Sequence, residues 1–152
     1  MVRVRVMPCL LLKNGGLVKT IKFKDECYVG DPLNAVRIYN QKEVDELVLF
    51  DISSTVEGEK IDFGLVEKIA SQCFIPVCYG GGVKSLEDFK TLFNLGVEKV
   101  SVSSLLFDDP DTVREAVEIF GSQSIIATID LYKPIFRNNY VVKTHSGSKK
   151  RP

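Results

Sequence analysis

The sequence predicts an α/β fold built around a parallel sheet. Short, apolar, β-branched-rich runs alternate with helical periodicity along the whole chain. Most positions in those runs are apolar, the pattern of strands covered on both faces. The helical segments between them carry start and stop residues at their ends. Strand, helix and strand therefore follow one another as right-handed βαβ units.

The first strand is expected over Val2–Leu10, where Val2, Val4 and Val6 alternate before three consecutive leucines, Leu10, Leu11 and Leu12. Lys13-Asn14-Gly15-Gly16 reads as a turn, and Leu17–Phe23 as one arm of a hairpin. Leu11–Gly30 is too long for a simple strand-to-helix loop, and long loops of this kind commonly carry function. Asp31-Pro32 supplies an N-cap followed by proline at the first helical position. The second strand is Glu46–Asp51, and a second helix, about Asp62–Ser71, carries Leu65, Val66 and Ile69. The third strand is Ile75–Tyr79. Ser85 with Asp88 fits a capping box, and the helix that follows places Leu86, Phe89, Leu92 and Phe93 on one stripe before Gly96 stops it. After the fourth strand, Lys99–Ser103, Asp109-Pro110 opens a fourth helix with Val113, Val117 and Phe120, which stops at Gly121. The fifth strand is Ser124–Asp130. A second hairpin-like stretch, Ile135–Thr144, follows it, and HSGSKKRP at 145–152 reads as a polar, mobile tail.

Residues 1–144 thus form four βα units plus one strand, half of an eight-stranded barrel of the kind that needs about 250 residues. The first and fifth strands would be open edges, which invite pairing with another chain. The expectation is a piece of a longer protein, or else a homo-oligomer that covers the edges.

Twenty basic residues balance twenty acidic ones, so no global charge favours nucleic acid or an anionic membrane. No apolar run approaches the roughly 20 residues of a membrane span. The N-terminus reads as a strand and not as a signal peptide. Cys9, Cys27, Cys73 and Cys78 contain no C-x-x-C pair, and the single histidine, His145, lies far from Cys73-x4-Cys78 in sequence. Free thiols in a reducing cytoplasm are expected, with no metal and no cofactor.

Two adjacent loops could hold a phosphate. Gly80-Gly81-Gly82 follows the third strand, and Ser101, Ser103 and Ser104 sit at the end of the fourth. Glycines let backbone N–H groups approach an anion, and serine hydroxyls add donors. A tight turn and a capped helical turn would account for the same residues without a ligand. Asp51 and Asp130 end the second and fifth strands, where carboxylates suit acid/base work, though each could equally cap a turn. Lys19, on the hairpin, could close over a phosphate or could simply be solvated. At the opposite ends of the strands lie Arg5, Glu46 and Lys99. Burying such charges requires pairing, and the result is either a stabilising cluster or a gate for a small neutral molecule.

Several motifs carry a resemblance: CLLLKNGGLVKT, GDP at Gly30–Pro32, DELVLFDI at Asp45–Ile52, YGGGV at Tyr79–Val83, GVEKVSVSS at Gly96–Ser104, FGSQS at Phe120–Ser124 and ATID at Ala127–Asp130. In this order they resemble the N-terminal half of the cyclase subunit of imidazole glycerol phosphate synthase, the HisF family. The resemblance implies a (βα)8 barrel paired with a HisH-like glutaminase, whose ammonia passes through the barrel to a phosphorylated substrate. It implies that Asp130 is one of two catalytic aspartates. The other should stand in a CLDVK segment, and here Leu11 occupies its place. Lys19 matches the family's flexible-loop lysine. Gly82, Ser103 and Ser104 fall on its first phosphate site, with Ser-Ser replacing Asn-Thr. Arg5, Glu46 and Lys99 match the charged gate at the ammonia entrance, and Glu98 matches an acidic residue that helps dock the glutaminase. A HisF-like subfamily with CLLLKNGGLVKT as its signature serves bacterial surface-polysaccharide synthesis, where it helps convert an acetamido group of a nucleotide-linked sugar into an acetamidino group. The resemblance therefore implies an ammonia-delivering subunit for sugar amidation. The alternatives are the histidine-pathway cyclase and an inactive half-barrel or scaffold.

Overall fold

The computed structural model describes residues 4–21, 24–53, 60–134, 139–145 and 147–151. The chain opens with a β-hairpin, β1 (Cys9–Lys13) and β2 (Gly16–Ile21). Asn14 and Gly15 both have positive φ, at 50° and 76°. That is the two-residue turn whose twist matches paired strands, so Lys13 comes to face Gly16. β3 (Lys24–Gly30) pairs antiparallel with β2, with register shifts between Leu17 and Val18 and between Lys19 and Ile21. The four further strands β4 (Leu47–Asp51), β5 (Val77–Gly80), β6 (Lys99–Val102) and β7 (Ile125–Ala127) run parallel to β1. Among the described residues the sheet has seven strands, ordered β3-β2-β1-β4-β5-β6-β7. A second sheet holds β8 (Asp130–Tyr132), β9 (Val141–Thr144) and β10 (Lys149–Lys150).

The helices start where the capping residues place them. Asp31 accepts the Asn34 N–H at 3.0 Å to open α1 (Pro32–Lys42), and Asp62 accepts the Leu65 N–H at 2.9 Å to open α2 (Phe63–Gln72). Ser85 and Asp88 form the reciprocal capping box of α3 (Leu86–Asn94). A short α4 (Leu105–Asp108), not foreseen from the sequence, precedes α5 (Pro110–Phe120), which Asp109 caps. Among the described residues no helix is long and apolar enough to cross a membrane.

Strand alternation sorts the side chains. Leu47, Leu49, Val77, Tyr79, Val100 and Val102 pack against Val36, Val66, Ile69, Phe89, Leu92, Val113 and Ala116 of the helices, and all are buried. Each Val, Leu, Ile or Phe among them contributes about 1.5–3 kcal/mol relative to exposure. The other sheet face carries two rows set by the register, Cys9–Val48–Cys78–Lys99 and Leu11–Phe50–Gly80–Ser101.

Four expectations are corrected. β1 starts at Cys9, not at Val2, and runs through Lys13. Pro8 has no N–H to give a ladder, and Val4 and Val6 are exposed. Val4–Pro8 still follows the sheet, because the carbonyls of Val6 and Pro8 accept from Asp45 and Val48 at 3.0 and 2.9 Å. The first strand is not an edge, since the tight turn folds β2 onto its free side; the edges are β3 and β7. The fifth strand ends at Ala127, and Asp130 opens the second sheet instead. Finally, the stretch expected to be a mobile tail contains β10, and Arg151 is anchored by Asp108 and Thr144. Met1–Arg3 of the expected first strand, Lys22, Phe23 and residues 135–138 of the two expected hairpins, and Ser146 and Pro152 of the expected tail lie outside the described residues.

Candidate functional site

The C-terminal ends of the parallel strands open into a cleft of about 530 Å³. Leu11, Asp51, Gly81, Gly82, Ser101, Ser103, Ser104 and Asp130 all line it, so the fold brings together eight residues scattered over the sequence. The three leucines separate by strand alternation. Leu12 is buried in the helix-side core and Leu10 packs against it. Leu11 points to the other face, half-buried, in the row with Phe50, Gly80 and Ser101. An apolar side chain therefore stands in the cleft that also contains Asp130.

Gly81 is dictated by a close approach. Its φ is +117°, and a Cβ there would lie 2.1 Å from the Asp51 carbonyl oxygen. The glycine lets the β5 loop lie against the end of β4, which shapes the cleft floor. Asp51 is itself engaged: its carboxylate accepts the N–H and hydroxyl of Ser53 at 3.0 and 2.6 Å and the Tyr79 hydroxyl at 3.4 Å. Ser101 is buried, with its hydroxyl bonded to that of Thr128. Ser103 and Ser104 lead into α4, and their carbonyls accept the N–H groups of Leu106, Phe107 and Asp108. Asp130 is half-buried, and the loss of water pushes its carboxyl above the ordinary carboxylate range. In β8 it stands opposite Lys143 of β9.

Lys19 is not brought to the cleft. It lies in β2, exposed, opposite Cys27. Lys84, Asp108, Asp109, Thr128 and His145 do line the cleft and were missed from the sequence. Lys84 stands two residues after the glycine run, a signal that was available. His145 arrives through pairing of β9 with β8, which local pattern does not encode.

At the other end of the same sheet face, Glu46 is completely buried just before β4. Arg5 donates to its Oε2 at 2.8 Å, and Lys99 makes a short ion pair with the same oxygen. Glu46 Oε1 is buried with no hydrogen-bond partner among the described residues. Between this cluster and the cleft lie Val48 and Cys78. Burial first, and then the negative charge of Glu46, pushes the Cys78 thiol up to about 12, so it stays a neutral, unreactive filler. At about 3.3 Å per residue, Glu46 and Phe50 are roughly 13 Å apart along the strand. Glu98 is exposed at the start of β6, on the same end as the charged cluster. Among the described residues, no group of His, Cys, Asp and Glu is arranged to hold a metal ion.

Residues 5–151 match the family model described as histidine biosynthesis protein. This chain belongs to that family, in its HisF branch. A HisF relative from Leptospira borgpetersenii, provisionally named imidazole glycerol phosphate synthase subunit HisF, is 47% identical over 150 residues, 99% of this chain and 59% of the relative. A Pseudomonas aeruginosa protein, provisionally named imidazole glycerol phosphate synthase subunit hisF2, is 48% identical over 149 residues, 98% of this chain and 59% of its own length. A Staphylococcus aureus protein named imidazole glycerol phosphate synthase subunit HisF is 40% identical over 149 residues, again 98% of this chain and 59% of its own length. The chain thus spans about three-fifths of the length of these HisF relatives.

Proposed function

We propose that this chain is the N-terminal half-barrel of a HisF-like subunit in a glutamine-dependent, ammonia-channelling synthase, specialised for amidating a nucleotide-linked sugar in surface-polysaccharide synthesis. The observation that carries the reading is Leu11 in the cleft with Asp130. A leucine neither donates nor accepts a proton, and losing one of two acid/base groups commonly costs ~10²–10⁴ in rate. The Arg5–Glu46–Lys99 cluster, by contrast, is present and paired at the far end of the same face. A site that keeps the entrance for ammonia without the full proton-handling pair suits delivery of a nitrogen nucleophile better than ring closure. In this reading Gly82, Ser103 and Ser104 hold a phosphoryl group, and a HisH-like glutaminase docks at the Glu98 end. Lys19 would act only by movement of the β2 hairpin toward the cleft.

The second reading, a histidine-pathway cyclase, is favoured by the 40% identity to the Staphylococcus aureus protein named imidazole glycerol phosphate synthase subunit HisF. Ammonium-dependent turnover of the cyclase substrate by the intact protein separates the two. The amidation reading expects turnover to appear, or to rise by about 10²-fold or more, only in the Leu11→Asp variant. Turnover by the unaltered protein at the variant's rate would favour the cyclase.

A further inference from the structure

His145, the chain's single histidine, enters the cleft from the second sheet. Its backbone is held at φ 55° by a turn in which its carbonyl accepts the N–H and hydroxyl of Ser148, at 3.1 and 2.7 Å. Nδ1 lies 3.1 Å from the Thr144 hydroxyl and 3.4 Å from that of Ser104. Nε2 is the remaining polar atom of the ring, and it has no partner among the described residues.

Arg151 Nε donates to Thr144 Oγ1 at 2.9 Å, and a guanidinium can only donate. Thr144 is completely buried, so its own hydrogen needs a protein acceptor. Among the described residues that acceptor is His145 Nδ1. A hydrogen on Nδ1 would leave the buried hydroxyl unmatched, disfavouring that tautomer by roughly fivefold to a hundredfold. Arg151 is fixed in turn: its other end donates to Asp108 at 2.7 Å, its guanidinium lies 5.2 Å from the Phe107 ring centroid, and its side chain is only 9% exposed.

We infer that the relay Asp108–Arg151–Thr144 holds His145 as the Nε2–H tautomer, so that its ring presents a hydrogen-bond donor to a phosphoryl oxygen in the cleft. The ligand assignment rests on the phosphate reading of Gly82, Ser103 and Ser104. His145 is then a binding residue, and Arg151 and Thr144 position it.

Because the chain has one histidine, a long-range ¹H–¹⁵N spectrum of the labelled chain in alkaline buffer reports one imidazole. A protonated Nε2 with an unprotonated Nδ1 is expected; a protonated Nδ1 overturns the inference. Arg151→Ala should move the two tautomers toward a mixture, and an unchanged ratio overturns the relay. Inorganic phosphate is then titrated against the amide resonances of Gly82 and Ser104. His145→Asn, which tolerates positive φ but places no donor at the Nε2 position, should weaken phosphate by about tenfold or more. His145→Gln, whose amide can reach that position, should stay within roughly threefold of the parent. Equal affinity in His145→Asn overturns the role of His145 and leaves the phosphate site standing. No amide shift in the parent chain overturns the phosphate reading and the ligand assignment with it.

Discussion

Replacing Lys99 by Met isolates what the buried charge cluster does. Glu46 is 0% exposed and shares Oε2 between Arg5 and Lys99, whose side chains are 53% and 23% exposed. Lys99→Met therefore removes the better buried of the two cations and keeps the aliphatic packing of the stem. Orphaning a buried ion completely costs ~3–5 kcal/mol, so with Arg5 remaining at the same oxygen the loss should be about 2–3 kcal/mol. For a small domain with a urea slope of roughly 1–3 kcal/mol/M, the unfolding midpoint should fall by about 1 M or more. Far-UV circular dichroism in urea measures this directly. The double variant Glu46→Leu/Lys99→Met should recover most of the loss, because a packed apolar pair needs no desolvation. Recovery would mean that the cluster is not retained for folding, which the gate reading requires. A Lys99→Met midpoint equal to that of the parent, or a double variant no better than the single, would refute the reasoning.

Two further outcomes follow from the site geometry. Gly81→Ala sets a Cβ 2.1 Å from the Asp51 carbonyl at φ +117°, so urea unfolding should show a loss of at least about 2–3 kcal/mol, and the amides around Asp51 and Gly82 should shift in NMR spectra. Asp130 has its carboxyl raised by burial, so the folded state holds this proton to higher pH than the unfolded state. The contribution of Asp130 to stability then falls as pH rises from the unfolded carboxylate range through the folded value. Asp130→Asn should flatten that part of the stability–pH curve measured by urea unfolding; an unchanged slope would show that burial of Asp130 does not matter energetically.

Local signals were legible wherever the physics is local. Asp31, Asp62, Ser85 and Asp109 open helices because a side-chain oxygen meets an N–H three residues on, and that geometry needs nothing from the rest of the chain. The core strands were found within one or two residues because alternation and β-branching encode burial directly. The errors fall where a strand's limits depend on its neighbours. Pro8 withdrew Val4–Met7 from the regular ladder, and Asp130 changed sheets because its partner, Lys143, lies 13 residues further on. Lys19 shares a motif with cleft residues but sits on a hairpin that faces elsewhere.

The sequence by itself determined the order of the parallel strands and of the four longer helices, the helix caps and the turn within Lys13–Gly16, since each depends on atoms a few residues apart. By the family resemblance, it also put Leu11 where the resemblance implies an acid. Only the tertiary structure decided that Leu11 and Asp130 share one cleft, that Glu46 is buried between two cations, and that His145 belongs to the site. Those outcomes depend on strand register and on a second sheet closing over α4, which are set by packing between segments far apart in the sequence.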